Sequence, residues 1–229
     1  MKPPPFSKYD LLMPGHKFEI EIKHLMEAFG YSATVTPGSG DHGVDVIGEK
    51  NGRRVAVQVK LHMQGSCGNG DILKLLGGMK VHKAEEGLFI TTAKLTKKAK
   101  EACDATGLVY YDHDRLLTFC KQKKLLLPSW TFLRHQDTLN HVPLDKDLMV
   151  GRNTHLFRLG HDLRLSRTHF RLTWSGLTLW IEDCHSTNGT QVNAVKIIQK
   201  QQLEYGALIS ASDQKFEICE QPLITSYRF

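Results

Sequence analysis

The sequence predicts two domains of different class, an α/β domain built on a mixed sheet followed by an all-β sandwich. Three observations carry this. Helix-period and strand-period segments alternate up to residue 121, and from residue 139 on only short apolar stretches separated by turns remain. The length of 229 residues also leaves room for two compact domains of about 100 residues each. The expected division is 12–121, a connecting segment 122–138, and 139–229.

Composition narrows the class. A hydrophobic fraction of 41% and a charged fraction of 24% are those of a globular protein, which excludes a disordered, collagen-like or coiled-coil chain. Purely apolar stretches run only a few residues, where a membrane-spanning helix needs roughly 20. Pro3-Pro4-Pro5 stands where a signal peptide needs an apolar core, so a cytoplasmic protein without a membrane partner is expected. The net charge of +6 is unevenly divided: residues 1–124 hold 19 Lys/Arg against 14 Asp/Glu, and residues 125–229 hold 11 against 10. The first half is therefore the better match for a polyanion. Five cysteines, odd in number and never spaced as C-x-x-C, support neither a disulfide framework nor a zinc ribbon, and reduced, mostly buried thiols are expected. Twelve histidines include no H-E-x-x-H.

After Pro14-Gly15, apolar residues at Phe18, Ile22, Leu25, Met26 and Phe29 form a helical stripe that Gly30 stops. Tyr31 to Thr36, Val44 to Ile47 and Arg54 to Leu61 read as strands, the last with Val55, Val57 and Val59 alternating with Ala56, Gln58 and Lys60. Asn51-Gly52 is a strong hairpin signal, because both central positions of the favoured turn need positive φ. Pairing Lys50 with Arg53 sets Val46 against Val57 and Asp45 against Gln58, and places Lys60 opposite Gly43. A carboxylate, an amide oxygen and an ammonium thus share one face, beside space left by the missing side chain of Gly43. Further along, Gly87 to Thr91 and Leu108 to Tyr111 are strands. Thr96 caps a helix that Gly107 closes, and Asp112 or Asp114 starts a short helix to about Cys120.

Gly38-Ser39-Gly40-Asp41-His42-Gly43 matches G-x-G-x-x-G literally, but a strand follows where the dinucleotide fingerprint needs a helix, so it reads as a tight loop admitting a large ligand to Asp45. Asp45 and Gln58 offer hard oxygen ligands for Mg²⁺ or Mn²⁺, and Lys60 can orient a water and offset charge on a phosphorane-like transition state. That is the equipment of phosphodiester hydrolysis. Gln58 brings no charge, so metal is held more weakly unless another acid helps; Glu19 and Glu21 are available.

Phe18-Glu19, Gly30-Tyr31, Asp41-His42-Gly43-Val44-Asp45-Val46-Ile47, Val57-Gln58-Val59-Lys60, Phe89-Ile90-Thr91-Thr92 and Tyr111-Asp112 together resemble the Mrr-like catalytic domain of restriction endonucleases, in the PD-(D/E)xK nuclease superfamily, over about residues 12–120. The resemblance implies a restriction-endonuclease-like fold and a DNA substrate, with a role in bacterial defence and a preference for modified DNA. It also implies Asp45 as principal metal ligand, Gln58 in place of the motif's acid, Lys60 as catalytic lysine and Glu19 as accessory acid. Double-strand cutting by two such sites points to a homodimer. Lys94, Lys97, Lys98 and Lys100 form a basic run that suits either phosphates or a solvated face.

Beyond the connecting segment, Leu148 to Val150, His169 to Thr173, Leu177 to Ile181, Val195 to Ile198, Ala207 to Ser210 and Phe216 to Cys219 read as sandwich strands. The turns carry Gly151-Arg152, Leu165-Ser166-Arg167-Thr168-His169 and Ser186-Thr187-Asn188-Gly189-Thr190, a set of guanidinium and hydroxyl donors suited to a doubly charged phosphate. With Val192-Asn193, these residues resemble the forkhead-associated (FHA) domain, a β-sandwich that binds phosphothreonine peptides. The resemblance implies that Arg152 and Ser166 bind phosphate, assisted by Thr187 and the Arg167 backbone. It implies further that Asn188 holds the peptide main chain, that Arg167 also selects a residue beyond the phosphothreonine, and that His169 and Gly189 organise the loops. Asp183-Cys184-His185 reads as ordinary turn composition.

The resulting expectation is a Mg²⁺-dependent DNA endonuclease directed or regulated through FHA binding of a threonine-phosphorylated protein. Two alternatives stand beside it. One is a catalytically weak or inactive DNA-binding adaptor for phosphopeptides; the other is an FHA domain that clamps a phosphorylated segment of its own chain.

Overall fold

The computed structural model describes residues 13–38, 42–62, 65–154, 157, 159 and 163–221. Ser39, Gly40 and Asp41 of the glycine-rich loop, and the prolines of the first five residues, lie outside them. Within the described residues the chain forms two compact units that meet in sequence at Leu116 and Leu117.

The first unit opens with helix α1, Pro14–Ala28, whose proline occupies the first turn, where its missing N–H costs nothing. Phe18, Ile22, Leu25 and Met26 form its buried stripe, together with Lys17 and Glu21. Strands β1 (Ser32–Val35), β2 (Val46–Lys50) and β3 (Arg53–Lys60) follow as an antiparallel meander. Asn51 and Gly52 turn the β2–β3 hairpin with φ of 53° and 76°, and Lys50 pairs with Arg53 and Val46 with Val57 as the turn requires. β4 (Ser66–Cys67) and β6 (Lys94–Leu95) make a small parallel pair. Between them lie helix α2 (Asn69–Val81) and strand β5 (Glu86–Thr91); α3 (Lys97–Thr106) and β7 (Val109–Tyr111) come after, and α4 (His113–Lys123) contains the boundary between the units. The five-stranded sheet runs β1-β2-β3-β5-β7, with β3, β5 and β7 parallel. Thr96 accepts the Ala99 N–H at 3.3 Å, and Gly107 ends α3 in the left-handed region at φ 69°. One sheet face contributes Ala56 and Phe89 to a core shared with Ile72 and Leu75 of α2 and Ala99 and Cys103 of α3. Helix α1 packs against β1, β2 and β3.

Helix α2 was not among the elements expected. Gly70, Gly77 and Gly78 each weaken a helix, yet a β-carbon at Gly78 would lie 2.6 Å from Val44 Cγ2 and 2.7 Å from the His42 carbonyl oxygen. Close approach of helix to loop requires that glycine, and packing outweighs the roughly 1 kcal/mol helix penalty.

The second unit is a sandwich. One sheet joins β10 (Leu148–Val150), β11 (Phe170–Ser175), β12 (Thr178–Asp183) and β15 (Gln201–Leu203). The other runs β14 (Val195–Lys196), β13 (Thr190–Val192), β16 (Leu208–Ala211), β17 (Gln214–Glu220), β8 (Thr131–His135) and β9 (His141–Pro143). Phe170 of one sheet meets Phe216 of the other edge to face, with ring centres 5.7 Å apart. The stretch 122–138, expected to connect and to pack, contains β8, which pairs along its length with β17. Trp130 is buried there against Tyr205, whose hydroxyl meets Thr131 Oγ1 at 2.9 Å, so this part of the segment belongs to the sandwich. In place of a strand from Val195 to Ile198, β13 and β14 form a hairpin that turns at Asn193 and Ala194, both with positive φ. The cysteine thiols are unpaired, and burial pushes those of Cys120 and Cys219 up to about 12. Among the described residues no helix is long and apolar enough to cross a membrane.

Candidate functional sites

The parallel strands β3 and β5 end side by side at Lys60 and Thr91, and the antiparallel β2 begins at the same edge, just after Asp45. Strand ends of this kind are where open α/β sheets place their ligands. The β2–β3 ladder stops at Val46–Val57 and does not continue to Gly43–Lys60 as the register predicted. The Asp45 N–H donates to the Val57 carbonyl at 2.8 Å, and the Asp45 carboxylate accepts the Val59 N–H at 2.7 Å. A side chain thus takes over a main-chain acceptor's place, and the strands part where the carboxylate needs room.

Gln58 and Lys60 share a strand face with Ala56, the face toward α2. Gln58 is 3% exposed, and its amide oxygen is buried without a hydrogen-bond partner. Lys60 Nζ lies 2.7 Å from the Asp71 carboxylate, which also accepts the Gly68 N–H at 3.1 Å at the start of α2. Burial works against ionising Asp71, but the Lys60 hydrogen bond and charge outweigh it and hold that carboxyl below its usual value. Sequence reasoning missed Asp71 because it missed α2; the available signal was an acid three residues past Gly68, in a helix's first turn. Thr91 and Thr92 are both fully buried, and Thr92 fastens the exit of β3. Thr92 N–H donates to the Lys60 carbonyl at 3.2 Å, while its hydroxyl both accepts from and donates to the His62 backbone.

The remaining expectations for this unit divide. Glu19 is partly exposed and meets His16 Nδ1 at 2.7 Å, whereas Glu21 lies on the buried stripe of α1 at 2% exposure. The space expected beside Gly43 is filled, since a β-carbon there would lie 2.6 Å from Lys74 Cγ. The basic run is largely compensated: Lys100 pairs with the buried Asp112 at 2.8 Å, Lys97 with Glu101 at 3.8 Å and Lys94 with Asp114 at 3.9 Å. Among the described residues, no three His, Cys, Asp or Glu side chains cluster as a metal site. A divalent cation here would draw on the Asp45 carboxylate and the unbonded Gln58 oxygen, with water completing its shell. Both are hard oxygen donors that suit Mg²⁺ or Mn²⁺.

In the second unit the turns converge. Arg152 N–H donates to the Ser166 carbonyl at 2.9 Å, and Asn153 N–H to the Arg167 carbonyl at 3.1 Å. These bonds require Gly151, since a β-carbon there would stand 2.4 Å from the Arg167 oxygen. The Ser166 hydroxyl accepts the Thr187 N–H at 3.0 Å, which leaves its own proton available to a ligand. His169, wholly buried, accepts the Ser166 N–H on Nδ1 at 3.2 Å and donates from Nε2 to the Gly189 carbonyl at 3.1 Å. It joins two turns without facing the cleft. Asn188 Nδ2 donates to the Arg164 carbonyl at 2.9 Å, tying the same two turns together. Asp183, which sequence reasoning took for turn composition, is the hub of the Ser186–Thr190 turn. It accepts from Ser186 N–H at 3.0 Å and from the Ser186 and Thr190 hydroxyls at 2.6 Å each. Burial disfavours its charge, yet these bonds keep its carboxyl below the usual value. Arg152, Ser166, Arg167, Thr187 and Asn188 all line one open cleft of about 470 Å³, with Arg164 beside them in an ion pair to Asp213.

Comparison with known proteins agrees with both halves. Residues 11–120 match the restriction endonuclease family model Mrr_cat, and residues 148–211 match the FHA domain model. The chain is 32% identical over 110 residues to the type IV methyl-directed restriction enzyme EcoKMrr of Escherichia coli, and 31% identical over 108 residues to the uncharacterized protein y4cE of Sinorhizobium fredii. Each match takes in 44% of this chain, and the chain spans 36% and 28% of those relatives' lengths. A solved structure from a study of phosphothreonine-dependent FHA domain interactions is 30% identical, covering 41% of this chain and 99% of that one at a TM-score of 0.37.

Proposed function

Given that the chain joins an Mrr-type restriction endonuclease domain to an FHA domain, we propose that it is a divalent-metal-dependent DNA endonuclease directed to its place of action by a threonine-phosphorylated protein. The observation that carries the nuclease reading is the parting of β2 from β3 at Asp45, which leaves a carboxylate, a buried amide oxygen and a paired lysine at one sheet edge. A cation held by Asp45 and Gln58 would supply charge neutralisation at the scissile phosphate. Lys60 offsets the negative charge that grows on the phosphate oxygens, and Asp71 keeps its ammonium aimed. Glu19, at the start of α1, is the accessory acid of the proposal, and His16 orients it.

In the FHA half, Arg152 and the Ser166 hydroxyl take the phosphate, Thr187 and the Arg167 backbone close around it, and Asn188 holds the peptide chain. The methyl-directed activity named for the Escherichia coli relative suggests modified DNA as substrate. Purified protein incubated with Mg²⁺ or Mn²⁺ and methylated or unmethylated DNA tests the reading. Cleavage by wild type and its loss in Lys60→Ala are expected; equally little cleavage by both removes the enzyme claim. Loss of phosphothreonine-peptide affinity in Arg152→Ala, by calorimetry, tests the second half.

One observation favours an adaptor that binds DNA without cutting it: the neutral Gln58 stands where a second carboxylate would strengthen metal binding. Calorimetric Mg²⁺ binding that disappears in Asp45→Asn separates the enzyme from the adaptor.

A further inference from the structure

Residues 71, 74 and 78 of α2 lie three and four apart and so share one helix face. That face meets the Asp45 edge at each position. Asp71 pairs with Lys60, Gly78 presses on Val44 and the His42 carbonyl, and Lys74 lies over Gly43. A β-carbon at Gly43 would stand 2.6, 2.9 and 3.1 Å from Lys74 Cγ, Cδ and Cε, so three carbons of the lysine stem follow the glycine backbone. The stem is thereby held two residues from Asp45, while the residue as a whole stays exposed. Lys60 has its charge answered by Asp71, and Lys94, Lys97 and Lys100 have acid partners of their own. Among the described residues, Lys74 has no ion-pair or hydrogen-bond partner.

A cation at a sheet edge proposed to handle phosphate, with its stem ordered in advance and no acid partner among the described residues, is equipped to meet an incoming anion at reduced entropic cost. We propose that Lys74 is a DNA phosphate contact of the nuclease site, supplied by α2 and seated by Gly43. The proposal rests on the nuclease reading above. It adds a substrate-positioning residue that does not belong to the Asp45, Gln58 and Lys60 group.

Fluorescence anisotropy of a labelled DNA duplex, with the full chain in Ca²⁺ and over a range of NaCl concentrations, tests it. Each phosphate neutralised adds about 0.9 to the slope of log affinity against log salt. Lys74→Met should therefore bind more weakly than wild type and show a slope shallower by about 0.9, so that its defect shrinks about 3.5-fold between about 50 and about 200 mM salt. Lys74→Arg should restore the slope. If wild type binds no duplex, the nuclease reading fails and takes this proposal with it. If wild type binds and Lys74→Met keeps the wild-type slope, the proposal alone is overturned. It is overturned equally if Lys74→Met loses the slope and Lys74→Arg does not recover it, since packing over Gly43 would then be the cause.

Discussion

Replacing Asp71 with Asn keeps the shape of the side chain and removes its charge. The amide oxygen can still accept the Gly68 N–H, which lies 3.1 Å from the carboxylate, so the start of α2 should survive. What goes is the 2.7 Å ion pair with Lys60. Side-chain exposures of 27% for Asp71 and 30% for Lys60 place the pair between a surface bridge, at about 0.2–1 kcal/mol, and a buried charge-assisted bond, at about 1.5–3 kcal/mol. A loss of about 1 kcal/mol is expected. The catalytic effect should be larger than that energy suggests, because Lys60 is left to choose among rotamers; a misplacement of about 1 Å can cost about 100-fold in turnover.

The folded-state pKa of Asp71 is depressed, so its stabilisation is fully present above the unfolded carboxyl value near 4 and is lost as pH falls through the folded value. The stability gap between wild type and Asp71→Asn should thus be about 1 kcal/mol at pH 7 and close as the pH drops below about 4. The assay must separate the two units. All three tryptophans, Trp130, Trp174 and Trp180, lie in the sandwich, whereas α1, α2 and α3 lie in the nuclease unit. Denaturant unfolding followed by helical circular dichroism therefore reports on the unit of interest, and tryptophan fluorescence serves as internal control. Equal stability and equal turnover at pH 7 would refute the assignment of Asp71 to Lys60. A gap that persists unchanged in acid would show that its origin is not the carboxylate charge.

Two further substitutions probe the remaining contacts. Gln58→Glu puts a carboxylate where a buried oxygen lacks a partner, so the metal-free protein should lose about 1–3 kcal/mol in the nuclease unit while Mg²⁺ affinity by calorimetry rises; an unchanged affinity would exclude residue 58 as a ligand. Gly151→Ala drives a β-carbon to within 2.4 Å of the Arg167 carbonyl, and the loops should part, with phosphothreonine-peptide affinity falling at least about 10-fold and the tryptophan-detected transition weakened by about 1–3 kcal/mol; wild-type affinity would show that this approach does not shape the cleft.

The elements legible in the sequence were those whose cause is local. Asn51-Gly52 determines its own turn and, through it, five pairs of register; Thr96 and Gly107 mark the ends of α3 with side-chain and backbone chemistry that neighbouring residues reveal. The features that escaped depend on distant partners. Gly77 and Gly78 look like an interruption until Val44 and His42 are known to press against the second of them. Thr131–His135 becomes a strand because β17, more than 75 residues later, supplies its ladder, and nothing in its own composition announces that partner. The register failed at Asp45 for a different reason. The rule that extends a hairpin assumes main-chain acceptors, and here a carboxylate replaced one, at a residue proposed for chemistry.

Charge shows the same division between what composition counts and what geometry leaves available. The nuclease half carries an excess of five positive charges, yet Lys60, Lys94, Lys97 and Lys100 are each matched by a carboxylate within 4 Å. Net charge still steers a polyanion from a distance, because pairing does not remove the excess from the long-range field. At contact, what counts is which cations lack a near partner. The FHA half makes the converse case. Its excess is one, but Arg152, Arg164 and Arg167 line a single cleft, and among the described residues only Arg164 has an acid partner there, Asp213. Removing the Arg164–Asp213 pair would leave net charge unaltered, whereas losing Arg152 would remove a donor from the proposed phosphate site. The affinity of each half for its anion should therefore follow unpaired cations at the site, and not the charge of the domain that holds them.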